Sequence, residues 1–288
     1  MIRQDATDPQ APKLDSHHHF WNYDPIQHGW MNDDMQALRR DFLPPDLKHE
    51  LDTAGIDGAV SVQARQSLEE TDWLLAIAEK NDFIRGVVGW VPLTQPNVRD
   101  DLARFADKPK LRAVRHVIQD EPDQDYILRD DFNRGIETLG DFGLAYDILI
   151  FERHLPQTVR FVDRHPALVF ILDHVAKPRI KEDLLSPWRE NISQLAERDN
   201  VYCKLSGMAT EADYRQWTEE QLMPYMEIVL DAFGPERLMF GSDWPVCLVA
   251  CGYERWLGVV QRFISKLSAA EQEAILGGTA AEAYRLHG

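Results

Sequence analysis

Eight short runs rich in β-branched and aromatic residues recur along the chain, with helical patterns between them, and this alternation limits the fold more than any other feature. The runs are LDSHHHF (14–20), GAVSVQA (58–64), IRGVVGWV (84–91), LRAVRHV (111–117), LAYDILI (144–150), LVFILDH (168–174), VYCKLSG (201–207) and LMFGSDW (238–244). Several are nearly continuous in hydrophobics, as parallel strands buried on both faces are. Strands alternating with helices give a parallel sheet, and eight is the number that closes a barrel. The runner-up, an open doubly wound sheet, lacks its glycine-rich phosphate fingerprint after the first strand. The expected fold is a single α/β domain, a (β/α)8 barrel over 14–288, preceded by a polar tail at 1–13. No linker, low-complexity stretch or repeat divides it.

The intervening segments carry helix signals. Ser67–Glu70 and Ser268–Glu271 each fit a capping box, with serine as N-cap and glutamate at N3. Ser186 before Pro187 predicts a helix start, running to about residue 198. Gly277–Gly278 reads as a helix end. The stretch MPYMEIVLDAFG (223–234) has helical spacing and predicts a core-facing helix.

Composition sets outer bounds. With 44% hydrophobic and 10% aromatic residues, the 288-residue chain can build a large core. No apolar run approaches the ~20 residues of a membrane span, and the N-terminus lacks the apolar stretch of a secretory signal. A formal charge of −17 argues against nucleic acid or anionic membrane as a partner. Three cysteines are too few for a disulfide framework and suit a reducing cytoplasm. Cys247 and Cys251, four apart with no second pair, read as packing residues rather than metal ligands. The oligomeric state is not legible.

In such a barrel the active site lies at the carboxyl ends of the strands. The first strand closes on His17, His18 and His19. Alternation puts His17 and His19 on one face and His18, as a structural neighbour, on the other. Two imidazoles two residues apart on one face can share a divalent cation. A purification tag does not explain them, since three histidines sit inside a strand pattern flanked by Leu14, Phe20 and Trp21. The sixth strand closes on His174 and the eighth on Asp243. Alone, a strand-end histidine is more often structural, and Asp243 can cap the following helix. Together they converge on one barrel mouth, where Asp243 can ligate a metal or take a proton from water.

These residues carry a resemblance. His17-x-His19, His174 and Asp243 resemble the ligand set of the amidohydrolase superfamily. DSHHHFW, SVQAR, RHVIQDEPD, ILDHVAKP, VYCKLSGM and RLMFGSDWPVC resemble its sugar-lactonase branch, from Leu14 to Leu286. The resemblance implies a distorted amidohydrolase-type barrel and a hydrolase that opens a sugar 1,5-lactone. L-fucono-, L-galactono-, D-arabinono- and L-rhamnono-lactones are not separated by sequence. It implies Asp243 and His174 as catalytic residues, and His17, His19 and Asp243 as ligands of one zinc or other divalent cation, with metal-independent action left open. The fourth strand ends RHV and the fifth YDILIFE, without the bridging group of dinuclear relatives, which weighs against two metals. GGTAAEAY has glycine where relatives place an asparagine before the threonine, away from the strand ends.

Gln63, Trp90, His116, Lys204 and Trp21 stand near other strand ends as expected substrate-binding residues. Amide and indole groups can bind hydroxyls and stack on a sugar ring. Arg115 and His116 are adjacent, so only one reaches the mouth. The resemblance selects His116 and leaves Arg115 to pair with a carboxylate outside. Two rivals remain: a decarboxylase of an aromatic or β-keto acid, which should show an arginine clamp, and a sugar-binding barrel without catalysis. Arg65 and Arg153 are the residues nearest to such a clamp.

Overall fold

The computed structural model describes residues 11–286; most of the expected tail, residues 1–10, lies outside them. All eight runs form parallel strands: β1 Leu14–His18, β2 Gly58–Val62, β3 Ile84–Gly89, β4 Leu111–Val117, β5 Ala145–Leu149, β6 Phe170–Leu172, β7 Val201–Leu205 and β8 Leu238–Phe240. They pair in chain order from β1 to β8. The helices are α1 Pro44–Ala54, α2 Leu68–Lys80, α3 Val98–Ala103, α4 Asp130–Asp141, α5 Leu155–Arg164, α6 Trp188–Ala196, α7 Glu219–Phe233, α8 Tyr253–Ile264, α9 Ala269–Glu273 and α10 Thr279–Ala283. The fold is a (β/α)8 barrel. No helix among the described residues is long and apolar enough to cross a membrane.

Strand parity divides the core. Val60, Val62, Val88, Ala113, Ala145, Ile171 and Met239 face the barrel axis and meet Tyr284, Ala280 and Ala283 of the C-terminal segment. The opposite strand faces join a larger cluster with the helices. Small residues on β4 and β5, Ala113 and Ala145, leave axial room that longer polar side chains fill one position pair further on.

Side chains close the barrel where β8 returns to β1. The strands share one isolated backbone bridge, His18 to Trp244. Around it, Ser16 Oγ donates to the Phe240 carbonyl at 2.6 Å, and Ser242 N–H donates to Asp15 Oδ1 at 2.8 Å. Tyr253 OH donates to Asp15 Oδ2 at 3.0 Å. Asp243 N–H reaches the His17 carbonyl at 2.8 Å, and His19 N–H reaches the Trp244 carbonyl at 2.7 Å. These bonds give buried backbone groups at the seam partners that a short ladder does not supply.

The helix signals hold in part. Ser268 and Glu271 form the full capping box. Ser67 accepts from Glu70 N–H, but the Glu70 carboxylate turns away to accept from Ala64 and Arg65 N–H. Those loop amides after β2 outcompete the single Ser67 amide. Pro187, not Ser186, is the N-cap of α6; Ser186 Oγ donates to Glu190 instead. Gly277 does interrupt the helical path: its φ of 175° and ψ of −38° are non-helical and kink the turn Ala274–Gly278 before α10 begins. A Cβ on Gly277 would stand 2.0 Å from the Pro12 carbonyl oxygen, so close approach of the N-terminal strand explains this glycine. Gly278 packs near Glu273, and Thr279 hydrogen-bonds to Pro235 and Glu236 ahead of β8, which keeps the variant tripeptide far from the strand ends. On α7, Leu222, Tyr225, Met226, Val229 and Phe233 are buried, as its spacing predicts. Cys203, Cys247 and Cys251 are buried free thiols.

Candidate active site

Four side chains converge at the carboxyl end of the barrel. His17 Nε2 and His19 Nε2 lie 3.1 Å apart. Asp243 Oδ1 stands 3.7 Å from the first, 3.5 Å from the second and 3.9 Å from His174 Nε2. His18 takes the opposite face, where its Nε2 meets Ser61 Oγ at 2.9 Å. The register irregularity between Asp15 and His18 against β2 lies within this strand, yet alternation from 17 to 19 is kept.

Partners behind the rings fix their orientation. His19 Nδ1 is 2.8 Å from the Val62 carbonyl, so Nδ1 carries the proton and Nε2 presents a lone pair. His17 Nδ1 meets Asp173 Oδ1 at 3.2 Å, a carboxylate behind an imidazole that raises the basicity of its far nitrogen. His174 Nδ1 is held by Ser206 Oγ at 2.8 Å. Burial pushes His17 well below the usual histidine pKa despite Asp173, and takes His174 down to about 4 against the pull of Asp243 and Asp173. Both are therefore neutral near pH 7. Burial is also the largest influence on Asp243 and raises its pKa, but His174, His19 and Lys177 together outweigh it and hold the carboxyl below its usual range.

Two imidazole nitrogens at 3.1 Å need a proton or a cation between them, and Lys204 Nζ at 3.1 Å from His17 Nδ1 allows His17 Nε2 to carry that proton when no cation is bound. Asp243 Oδ1, buried, has no hydrogen-bond partner among the described residues. His17, His19 and Asp243 form one group whose ligand atoms all lie within 4.8 Å of one another. Two nitrogens and one carboxylate oxygen with a position left over match a catalytic zinc donor set. The residues fit the cation.

The backbone here is strained. Asp243 has φ 56°, and His174, Val175, Ala176 and Lys177 are all left-handed. Such conformations cost L-residues about 1–2 kcal/mol each and cluster where geometry serves function. Gly207, at φ +63°, lies against His174; a Cβ there would stand 2.6 Å from His174 Nδ1. Gly207→Ala should displace His174 and cost about 1–3 kcal/mol. A urea midpoint unchanged from the parent would refute that reading.

Beneath the site lies a fully buried charge network. Lys204 Nζ pairs with Asp147 at 2.6 Å and Asp173 at 2.9 Å and sits 3.1 Å from His17 Nδ1. Tyr284 OH donates to Asp147 at 2.6 Å. Arg115 donates to Asp173 at 2.8 Å and, through its other terminal nitrogen, to the carbonyl and Oε1 of Gln63 at 2.5 and 2.8 Å. Burial raises the Asp147 pKa to about 6 even with Lys204 beside it.

A cavity of about 320 Å³ opens above, lined by His19, His174 and Asp243 with Trp21, Trp30, Arg115, Lys177, Glu211 and Tyr214 among others. Of the five expected substrate-binding residues, Trp21 alone lines it. Its indole N–H is spent on the Arg40 and Leu38 carbonyls, so it offers a ring and no donor. Gln63 is committed to Arg115, and Lys204 lies below in the network. His116 points outward: it stacks on Tyr126 at 5.0 Å, meets Glu121 at 2.7 Å and accepts from Trp90 Nε1 at 3.3 Å. The choice between Arg115 and His116 is thus reversed. Arg115 registers with Asp147 across an unbroken β4–β5 ladder and shares parity with axial Ala113, which places it inside. That parity was readable in the sequence. Lys177, Glu211, Tyr214 and Trp30 lie outside the eight strands and give no periodic signal.

A (β/α)8 barrel with a histidine–histidine–aspartate group at its mouth defines a class of barrel hydrolases. The chain belongs to the amidohydrolase family, whose model, described as Amidohydrolase, matches residues 14–286. It is 42% identical to an L-fucono-1,5-lactonase of Burkholderia multivorans over 96% of this chain and 97% of that one. A second L-fucono-1,5-lactonase, from Burkholderia ambifaria, is 36% identical over 95% and 96%. A crystal structure of a Burkholderia multivorans amidohydrolase with bound zinc superposes with a TM-score of 0.93 at 41% identity, covering 96% of this chain and 100% of that one.

Proposed function

We propose that this protein hydrolyses a sugar 1,5-lactone, with L-fucono-1,5-lactone or a close aldonolactone as substrate, in the cytoplasm. The 42% identity to a relative of that name over nearly the whole chain carries the reading, and the chemistry of the site supports it. A lactone is a cyclic ester, and its opening needs a base for water, a group for the carbonyl oxygen and a proton for the leaving ring oxygen. Asp243, ionised and with Oδ1 unpartnered, accepts the water proton and returns it to the ring oxygen. Neutral His174, its Nε2 3.9 Å from that carboxylate, faces the developing oxyanion. Trp21 and Trp30 wall the cavity with aromatic surface suited to a sugar ring.

His17, His19 and Asp243 would hold a zinc ion, which when bound polarises oxygen and lowers the pKa of water. Zinc titration of chelator-stripped protein by calorimetry is expected to give one equivalent, and His19→Ala should abolish it. Equal zinc affinity in the variant would remove His19 from the ligand set.

The function is tested by proton release across a panel of 1,5-aldonolactones, with L-fucono-1,5-lactone first. Failure to open any of them would overturn it. The decarboxylase alternative gains nothing from Arg115, whose two terminal nitrogens are already committed to Asp173 and Gln63.

A further inference from the structure

The left-handed turn after β6 delivers two side chains, and only one has been given a role. His174 begins it and enters the site. Lys177 ends it at φ 49°, its N–H closing the turn on the His174 carbonyl at 2.7 Å. The Lys177 side chain lines the active cavity and also a charged basin of about 860 Å³ beside it; Thr210, Glu211 and Tyr214 are likewise common to both. Lys177 therefore stands on the boundary between them.

Its bonding is loose. Nζ lies 3.8 Å from Glu211 Oε1 and 5.6 Å from the centre of the Phe151 ring, with side-chain exposures of 19% for Lys177 and 22% for Glu211. A 3.8 Å ion pair is too long for a hydrogen bond. Arg115, the other lysine or arginine lining the cavity, has both terminal nitrogens engaged by Asp173 and Gln63. Arg115 keeps only its buried Nε unpartnered, whereas among the described residues lining the active cavity Lys177 offers a whole terminal ammonium without a hydrogen bond at this distance.

The reaction changes the charge of the ligand in place. Water oxygen bonds to the carbonyl carbon, the ring carbon–oxygen bond breaks, and the ring oxygen takes a proton. The carboxylic acid so formed then ionises. A neutral lactone becomes an anion beside a free ammonium and a competing carboxylate.

We propose that Lys177 binds the carboxylate of the open-chain product, and that Glu211 competes with that carboxylate for Lys177 and so speeds its release. This rests on the lactone-hydrolysis reading. The competition makes opposite predictions for the two residues, whereas a merely structural role at the mouth moves both variants the same way.

The test measures binding of L-fuconate by calorimetry and its inhibition constant in the lactone assay. Lys177→Met is expected to weaken fuconate at least tenfold, and by more than it raises lactone KM. Lys177→Arg should stay within threefold of the parent. Glu211→Gln should tighten fuconate at least threefold. Unchanged fuconate affinity in Lys177→Met, or weakening in Glu211→Gln, would overturn the proposal. Because the calorimetry needs no turnover, a parent that binds fuconate with these variant effects but opens no lactone would overturn the hydrolysis reading alone. A parent that opens lactone while the variants leave fuconate binding untouched would overturn the role of Lys177 alone.

Discussion

Replacing Asp243 with asparagine is expected to leave a folded barrel that opens lactones about a thousandfold more slowly, since a general base contributes roughly 10²–10⁴ to rate. Asparagine keeps the shape of the carboxylate and tolerates the left-handed backbone at φ 56°. The Asp243 N–H bond to the His17 carbonyl is a backbone contact and survives. What is lost is the ability to accept a proton at a buried oxygen that nothing else occupies. The measurement is kcat/KM by proton release, with the melting temperature as a control for folding. Turnover within tenfold of the parent, in a protein of unchanged melting temperature, would remove Asp243 from the chemistry.

Lys204→Met should produce the largest loss of stability, about 3–5 kcal/mol, because removing one member of a buried ion pair leaves the other charge uncompensated. Here it strands Asp147, which is fully buried, and leaves the equally buried Asp173 with Arg115 as its remaining cation. The deficit should depend on pH. Asp147 already binds its proton more tightly in the folded protein, at about 6 against an ordinary 3.8. A raised carboxyl pKa gives stability that is complete below the unfolded value and lost as pH climbs through the folded one. Without Lys204 the folded value rises further, so the deficit should be smaller at pH 5 than at pH 8. Urea unfolding at both values checks this. A deficit below 1 kcal/mol at both would show that the network has re-formed without the lysine.

The barrel was legible because its strands are nearly uninterrupted hydrophobic runs, which few folds accept, and because the runs number eight. His17, His19, His174 and Asp243 were legible because each closes a strand, where parity and position together say where a side chain goes. Lys204 was recognised as costly, but its purpose was not: its two carboxylate partners come from β5 and the end of β6, and a single strand does not reveal its neighbours across the axis. His116 was misassigned although the parity of Ala113 and Arg115 already pointed the other way. Trp30, Lys177, Glu211 and Tyr214 were beyond reach, because loops carry no repeat from which direction can be read. Glu70 illustrates the same limit on a smaller scale, since two loop amides nearby decide where a capping carboxylate turns.

The seam between the last strand and the first has a consequence for the order in which this protein comes into being. Ser16 and Phe240, which it joins, are 224 residues apart in the chain. Such distant contacts form late, because the entropy of closing the loop must be met before they return anything. His17 and His19 lie on one side of that seam and Asp243 on the other. On a ribosome, a chain that has emerged only as far as β7 holds both imidazoles but lacks the carboxylate that completes the site. Chemistry is thereby postponed until the ring of strands has shut. Any cation gripped by His17, His19 and Asp243 together would act as a clasp across the join, so that loading the site and keeping the barrel closed become one equilibrium.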